Sequence, residues 1–345
     1  MAEKTKQKAW RTVLTLITIA ALIILIIALR HQILSTLQNL RKVNLYILLL
    51  VIPIEIINYD AQTRMYEVSL KILKHKLSYW FLYRLSLELN FVQTIFPSGG
   101  ISGVSYMNLR LRPKGVSGAQ ATLLQLMKLM MVFGSFIFLL VIGVFALAIG
   151  GRANELVLLI ATSIITLTVV ISVAMIFIIG SERRIDAVFT YLTRLINHFI
   201  HIFRPNVSET INIEKVRHVF VELHQNYLIF RGDYRKLIPP LLSALMANLT
   251  EVLSIYVVYV AFGHFENPGA IILAYAVANI AGTISILPGG IGVYETLMTL
   301  VLAAVGIPVS LSIPVTIMYR VVSISIQTIP GYGLYQHNLI PHTTE

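Results

Sequence analysis

The sequence predicts an all-α, polytopic helical membrane protein with about six full spans plus two re-entrant broken-helix hairpins, related as an inverted repeat. Three observations predict it. Of the 345 residues, 57% are hydrophobic and only 12% charged, against roughly 25% charged in soluble domains. The apolar residues fall in runs long enough to cross a bilayer. A glycine-rich helix break is also written twice, as Pro97-Ser98-Gly99-Gly100-Ile101-Ser102-Gly103-Val104 and, one residue shorter, as Pro288-Gly289-Gly290-Ile291-Gly292-Val293. Helix breaks at corresponding places in two halves of a membrane protein mark a transport site.

Taken in order, Lys4, Lys6, Lys8 and Arg11 precede an apolar stretch from Val13 to Leu29. That stretch is too long for a signal-peptide core and has no small-residue cleavage site, so it reads as an uncleaved first span near 12–30. A second span follows near 43–60. Segment 79–118 is interrupted by the first glycine motif, and each arm is too short or too polar to cross alone. Spans near 119–149 and 155–180 complete the first membrane half, 1–180. A polar linker, 181–236, separates it from the second half, 237–345. Within the linker, Ile185, Val188, Phe189, Leu192, Leu195, Ile196, Phe199 and Phe203 follow helical spacing, as in a helix lying in the cytoplasmic interface. A second helical stretch is expected over about 212–230. Pro239-Pro240 suits the first turn of the next span, 237–262. Segment 270–306 is broken by the second glycine motif, and a last span runs near 308–335. The two broken segments read as re-entrant hairpins, because irregular backbone survives at membrane depth only inside protein or beside water.

Basic residues set the orientation. With the N-terminus in the cytoplasm and each hairpin returning to its own side, 20 of the 27 Lys and Arg lie on the cytoplasmic side. Arg30, Arg41, Lys42 and Arg152 lie outside, and Arg84, Lys128 and Arg320 fall within apolar segments. Hairpin 79–118 then enters from the cytoplasm and hairpin 270–306 from outside, which is an inverted-topology repeat. Both termini are cytoplasmic in this reading.

The net charge of +11 flanks apolar spans, so anionic phospholipid is the expected partner and nucleic acid is not. No cysteine is present, and there is no metal-ligand spacing, P-loop or nucleophile elbow. No catalytic residue, metal or cofactor is therefore expected. The polar candidates are the ionisable groups inside apolar segments, each costing about 2.5–3.5 kcal/mol at a span centre and so needing a partner or a cavity. Arg84 and Glu88, spaced i, i+4, can pair on one helix face. Glu55, two residues after Pro53, suits a place near the interface, and Glu251 has Asn248 one turn earlier. Arg84, Glu88, Asn248 and Glu251 thus form a candidate intramembrane polar network. Glu295 falls in the first turn after the second glycine motif. It can cap that half-helix, pair with Arg320 or Lys128, or gate access to those cations or carry a proton. Gly99, Gly100, Gly289 and Gly290 free backbone N–H groups at the two breaks. Together with Lys128, Arg320 and Arg110 they make a candidate cradle for a lipid phosphate. Tight helix packing is the alternative use of such glycines.

These motifs also carry a resemblance. Pro288 through Glu295, Gly306-Ile307-Pro308 and Tyr319-Arg320 resemble the signature of the lysylphosphatidylglycerol synthase transmembrane-region family. Phe96 through Gly100, Arg110 and Gly115-Val116-Ser117 resemble its first motif. This flippase-like family includes the membrane portion of bacterial multiple peptide resistance factor. Ser102 and Ser105 stand where the family often has an acidic residue and an Arg, and Lys128 stands where Arg is common. Full-length synthases add a soluble aminoacyl-transferase domain, which is not expected here, since the chain ends about ten residues after its last span. The resemblance implies a translocator of an anionic or aminoacylated phospholipid in the bacterial plasma membrane. A lipid-modifying enzyme of the phosphatidylglycerol lysyltransferase type, a membrane subunit serving a separate lipid synthase, and a small-solute secondary transporter are the alternatives.

Overall fold

A computed structural model describes residues 2–96, 101–188, 190–191, 222, 224–230, 232–284 and 290–339. Among them the regular structure is helical. Helix α1 is Ala2–Asn39, followed by the short α2, Leu45–Leu48, and by α3, Val51–Ile72. The first broken segment supplies α4, Tyr79–Ile95, and α5, Ile101–Leu111. Two long helices follow, α6 at Gly118–Ile149 and α7 at Glu155–Ile179. After the linker come α8, Ile238–Ala261, then α9, Pro268–Ile284, and α10, Val293–Ala304, from the second broken segment, and finally α11, Val309–Leu339.

Five of these stretches are long and apolar enough to cross a membrane, and α1, bent by 55° near residue 28, makes a sixth. Apolar side chains on the outside are the other membrane signature. Leu159, Val170 and Phe177 of α7 are 65%, 57% and 58% exposed, a surface suited to lipid and costly in water. The second span runs farther than its apolar stretch, to Ile72 rather than residue 60. Its polar end is held helical by two i, i+4 pairs, Arg64 with Asp60 and Lys71 with Glu67, each at 2.7 Å.

Local chemistry sets several helix starts. Ser117 caps α6, its Oγ accepting from the Gln120 N–H while the Gln120 side chain accepts from the Ser117 N–H. Asn154 caps α7 by accepting from the Val157 N–H at 2.9 Å. Pro239-Pro240 lies in the first turn of α8, where the missing N–H groups have no intrahelical partner to lose.

The main helix packings come in matched pairs. Helix α4 packs on α5 as α9 does on α10, and α5 on α6 as α10 does on α11. Helix α4 packs on α11 as α9 does on α6, α3 on α4 as α8 does on α9, and α3 on α6 as α8 does on α11. Helix α1 meets α11 and α4, just as α7 meets α6 and α9, while α3 and α8 meet each other. Small residues allow the close approaches. At the α6–α9 crossing, a Cβ on Gly269 would lie 2.2 Å from the Gly143 carbonyl oxygen, and at the α4–α11 crossing one on Gly331 would lie 2.6 Å from the Phe91 Cβ.

Two apolar clusters fill the interior, stacked along the long helices. One contains Val51 and Ile54 of α3, Phe133 to Leu147 of α6, Val252 to Ala261 of α8 and Val315 to Tyr319 of α11. The other contains Met65 to Leu70 of α3, Ala119 to Met131 of α6, Ala244 of α8 and Ile324 and Tyr335 of α11. The linker joins the second cluster. Ile185 and Phe230 are buried in it, Ser117 Oγ donates to Glu222 at 2.5 Å, and Gln120 Nε2 donates to Asn226 at 3.3 Å. Of the linker's expected helices, 182–188 and 224–230 are helical; positions 189, 192–221 and 223 lie outside the described residues.

Candidate functional site

Between the two clusters, the same four long helices each turn polar. On α3 the layer is Glu55, Asn58 and Gln62; on α6 it includes Lys128; on α8 it is Asn248, Thr250 and Glu251; on α11 it is Arg320, Ser323 and Gln327. Burying so many polar groups costs free energy unless they bond one another, and Lys128, Gln62, Asn58, Thr250 and Glu251 form a connected chain. Lys128 Nζ donates to Gln62 Oε1 at 3.3 Å, and Asn90 Nδ2 of α4 donates to the same oxygen at 3.2 Å. Gln62 Nε2 donates to Asn58 Oδ1 at 2.6 Å. Asn58 Nδ2 donates to Thr250 Oγ1 at 2.9 Å and to Glu251 Oε1 at 3.4 Å. The other Glu251 oxygen accepts from the Tyr319 hydroxyl.

A cavity of about 200 Å³ opens within this layer. Gln62, Asn90, Thr94, Glu251 and Asn279 line one part; Tyr294, Tyr319, Arg320, Ser323, Ile324 and Gln327 line the rest. Its walls come from both broken segments. Thr94 lies in the last turn of α4 before the first glycine motif, Asn279 lies on α9 ahead of the second, and Tyr294 lies in the first turn of α10 just after it.

The second break is built by its glycines. Gly290 has φ 66° and Gly292 has φ 85°, a region open to glycine and strained for other residues. A Cβ on Gly290 would also meet Gly282 Cα of α9 at 2.9 Å, so the returning chain lies directly against the arm it left. Glu295 then accepts from the Gly292 N–H at 2.6 Å, occupying the start of α10. The same carboxylate takes a hydrogen bond from Arg320 Nε at 3.1 Å, and both side chains are 13% exposed. The Arg320 guanidinium stacks on the Tyr294 ring, 4.6 Å from its centroid. Glu295 thus caps the half-helix and pairs with Arg320. Gly99, Gly100 and Gly289 lie outside the described residues.

The remaining candidates separate into two further places. Asn248 bonds outward from the layer, donating to Ser135 Oγ at 2.5 Å and accepting from the Tyr275 hydroxyl at 3.1 Å. Glu88 is fully buried but does not pair with Arg84, which is exposed on another face of α4. Its partner is Arg110 of α5, with Nε at 2.8 Å and Nη2 at 3.3 Å. The Tyr106 hydroxyl donates to Glu88 at 2.8 Å and Asn338 Nδ2 at 2.6 Å. The i, i+4 spacing allows the Arg84 pairing, but packing turns Glu88 inward toward α5 and the end of α11. Arg110 accordingly ties α5 to α4 and does not line the cavity.

Asn248 apart, the amides and hydroxyls of the layer are not singled out by the sequence. Their signal is a neutral polar pair one turn apart inside an apolar run, as with Asn58 and Gln62 or Ser323 and Gln327. Groups of three or more acidic or histidine side chains able to hold a metal are absent among the described residues.

Comparison with known proteins agrees with this architecture. The lysylphosphatidylglycerol synthase TM region matches residues 13–331. The chain belongs to that family. Its relatives include a UPF0104 membrane protein of Pyrococcus horikoshii, 25% identical over 197 residues, which cover 56% of this chain and 57% of that protein. A UPF0104 membrane protein of Methanocaldococcus jannaschii is 23% identical over 273 residues, 77% of each chain. One from Methanothermobacter thermautotrophicus is 33% identical over 88 residues, 26% of each. No solved structure matches the chain. The family member is therefore a multi-pass membrane protein.

Proposed function

We propose that this protein moves an anionic or aminoacylated phospholipid between membrane leaflets, with the lipid phosphate entering the cavity of the polar layer. The observation that carries this reading is the cavity itself. It lies where four long helices interrupt two apolar cores, it is lined by residues of both broken segments, and it presents Arg320 among neutral polar groups and the carboxylate of Glu251. Transport sites of this kind sit at the interface of two repeats and use broken-helix ends.

The matched packings support reading α1–α6 and α7–α11 as the two repeats. This grouping places α7 with α1 as an equivalent element. With the orientation drawn from the basic residues, equivalent helices cross in opposite senses, and α4–α5 and α9–α10 enter from opposite faces. Acyl chains would stay against the exposed apolar surface while the headgroup crosses through the layer, which avoids the cost of an ionised phosphate in hydrocarbon.

The test is leaflet exchange of a fluorescent phosphatidylglycerol in vesicles reconstituted with the full chain. Exchange is expected with the wild type and lost with Arg320→Met. Equal exchange in wild-type, Arg320→Met and protein-free vesicles refutes the assignment. The family's name favours a second reading, in which the chain serves lipid aminoacylation. Total lipid extracts decide between them: loss of an aminoacylated lipid on deleting the gene supports the second reading, and unchanged species with altered leaflet distribution supports the first.

A further inference from the structure

The polar layer contains a carboxyl that the proposed headgroup site does not use. Glu55 of α3 is 1% exposed. Its Oε1 accepts from the Ser323 hydroxyl at 3.0 Å, and its Oε2 is buried with no hydrogen-bond partner. Ser323 lines the cavity and accepts in turn from Gln327 Nε2 at 3.1 Å. Glu55 is thus one hydroxyl away from the cavity.

The groups facing it from each packed element do not neutralise it. From α8, Glu251 acts on it as a second negative charge. On its own helix Tyr59 presents a buried hydroxyl without a partner, itself in edge contact with Tyr83 of α4. Tyr275 of α9 and Tyr319 of α11 are near enough to feel its charge, and Tyr319 is already committed to Glu251. Arg320 of α11 pairs with Glu295 and acts on Glu251, while Lys128 of α6 is bonded to Gln62. Among the described residues no Lys or Arg forms an ion pair with Glu55.

Charge arithmetic gives the consequence. Glu295 of α10 borders the layer through its ion pair with Arg320; counted with it, Glu55, Glu251 and Glu295 stand against Lys128 and Arg320, which is 2 − 3 = −1 when all are ionised. Such a layer repels an anion. With one proton on Glu55 it becomes neutral, and an unpaired carboxylate need not be buried.

We propose that Glu55 is a proton-binding site whose occupancy is coupled to binding of a lipid phosphate in the cavity, which makes the translocator proton-linked. This rests on the cavity being the headgroup site. Protonation proceeds through Ser323. Its hydroxyl gives its proton to Glu55 Oε1 as the Ser323 oxygen takes one from a hydronium ion reaching the cavity, so the net change is one proton moved from hydronium to the carboxylate, leaving neutral water. Release of the phosphate reverses the transfer. Because coupling is reciprocal, the phosphate raises proton affinity and the proton raises phosphate affinity by the same factor. Headgroup affinity therefore falls as pH rises through the Glu55 titration, by up to about tenfold per pH unit for one linked proton.

Two measurements on the full chain in nanodiscs test this. The first is the infrared C=O stretch of a protonated carboxyl, recorded across a pH titration without added anionic lipid. A titrating band present in the wild type and in Glu295→Gln, and absent in Glu55→Gln, is expected. The same band in Glu55→Gln overturns the proposal, as does its absence from the wild type. The second is proton uptake when wild-type protein takes up short-chain phosphatidylglycerol at a pH just above the titration found in the first, which needs no variant. About one proton per lipid is expected, and binding without uptake overturns the coupling. If the wild type binds no phosphatidylglycerol, the headgroup reading fails and the coupling falls with it, while the infrared band still decides whether Glu55 holds a proton.

Discussion

Replacing Arg320 with Met removes the cation that joins α11 to the capped start of α10. At the 3.1 Å separation of Arg320 Nε and Glu295 Oε1, two unit charges attract by about 5 kcal/mol at an effective dielectric of about 20. Desolvation offsets much of that while both charges are present, so the intact pair adds little over an apolar pair. Removing one partner leaves the other buried and unpaired, at a cost of about 3–5 kcal/mol. Glu295→Gln takes that carboxylate from Arg320, although Gln at 295 still offers an acceptor to the Gly292 N–H. The double variant Arg320→Met/Glu295→Gln removes both charges of the pair together. It is expected to be more stable than the sum of the single losses by about 2–3 kcal/mol. Unfolding by SDS in mixed micelles measures all four proteins. The double variant should recover stability without recovering lipid exchange, which separates the structural role of the pair from its place in the cavity. Single losses that add to the double loss within about 0.5 kcal/mol would refute the claim that the pair is a coupled, buried unit.

Other consequences are equally direct. Gly269→Ala sets a Cβ 2.2 Å from the Gly143 carbonyl oxygen, so α6 and α9 must separate; a loss of about 1–3 kcal/mol in the same unfolding assay is expected. Arg110→Met leaves Glu88, which is fully buried, with only Tyr106 and Asn338, and should cost about 3–5 kcal/mol, with Glu88→Gln in the same chain recovering most of it. Ser117→Ala removes the acceptor for the Gln120 N–H and the donor to Glu222. A loss of about 1 kcal/mol should appear as roughly fivefold faster amide exchange over residues 224–230.

Much of this arrangement is legible in the chain, because hydrophobic length and glycine are strong local signals. The Gly290 and Gly292 break forms where the motif occurs, and Glu295 caps the helix behind it, since both follow from backbone geometry within five residues. The pairing of Arg320 with Glu295 was among the options that charge placement left open. What sequence spacing does not carry is the direction a side chain takes among neighbours far away in the chain. Arg84 and Glu88 satisfy the i, i+4 rule, yet Glu88 turns to Arg110 because α5 and α11 close over that face of α4. Asn58, Gln62 and Gln327 are ordinary polar residues until four helices bring them to one level. Likewise, Glu55 looked like an interface residue after Pro53, but α11 folds over it and supplies Ser323. The helical end of α3 escapes the sequence for a simpler reason: its i, i+4 ion pairs continue a helix that hydropathy alone would end.

The central claim is that the polar cavity lined by both broken segments receives a lipid phosphate. The most direct measurement is a structure of the full chain determined by electron cryomicroscopy in nanodiscs containing phosphatidylglycerol. The account predicts phosphate density inside the cavity, about 3 Å from the Arg320 guanidinium, with acyl chains leaving toward the exposed apolar surface. A cavity holding only water, with every ordered lipid confined to the outer surface, would contradict it.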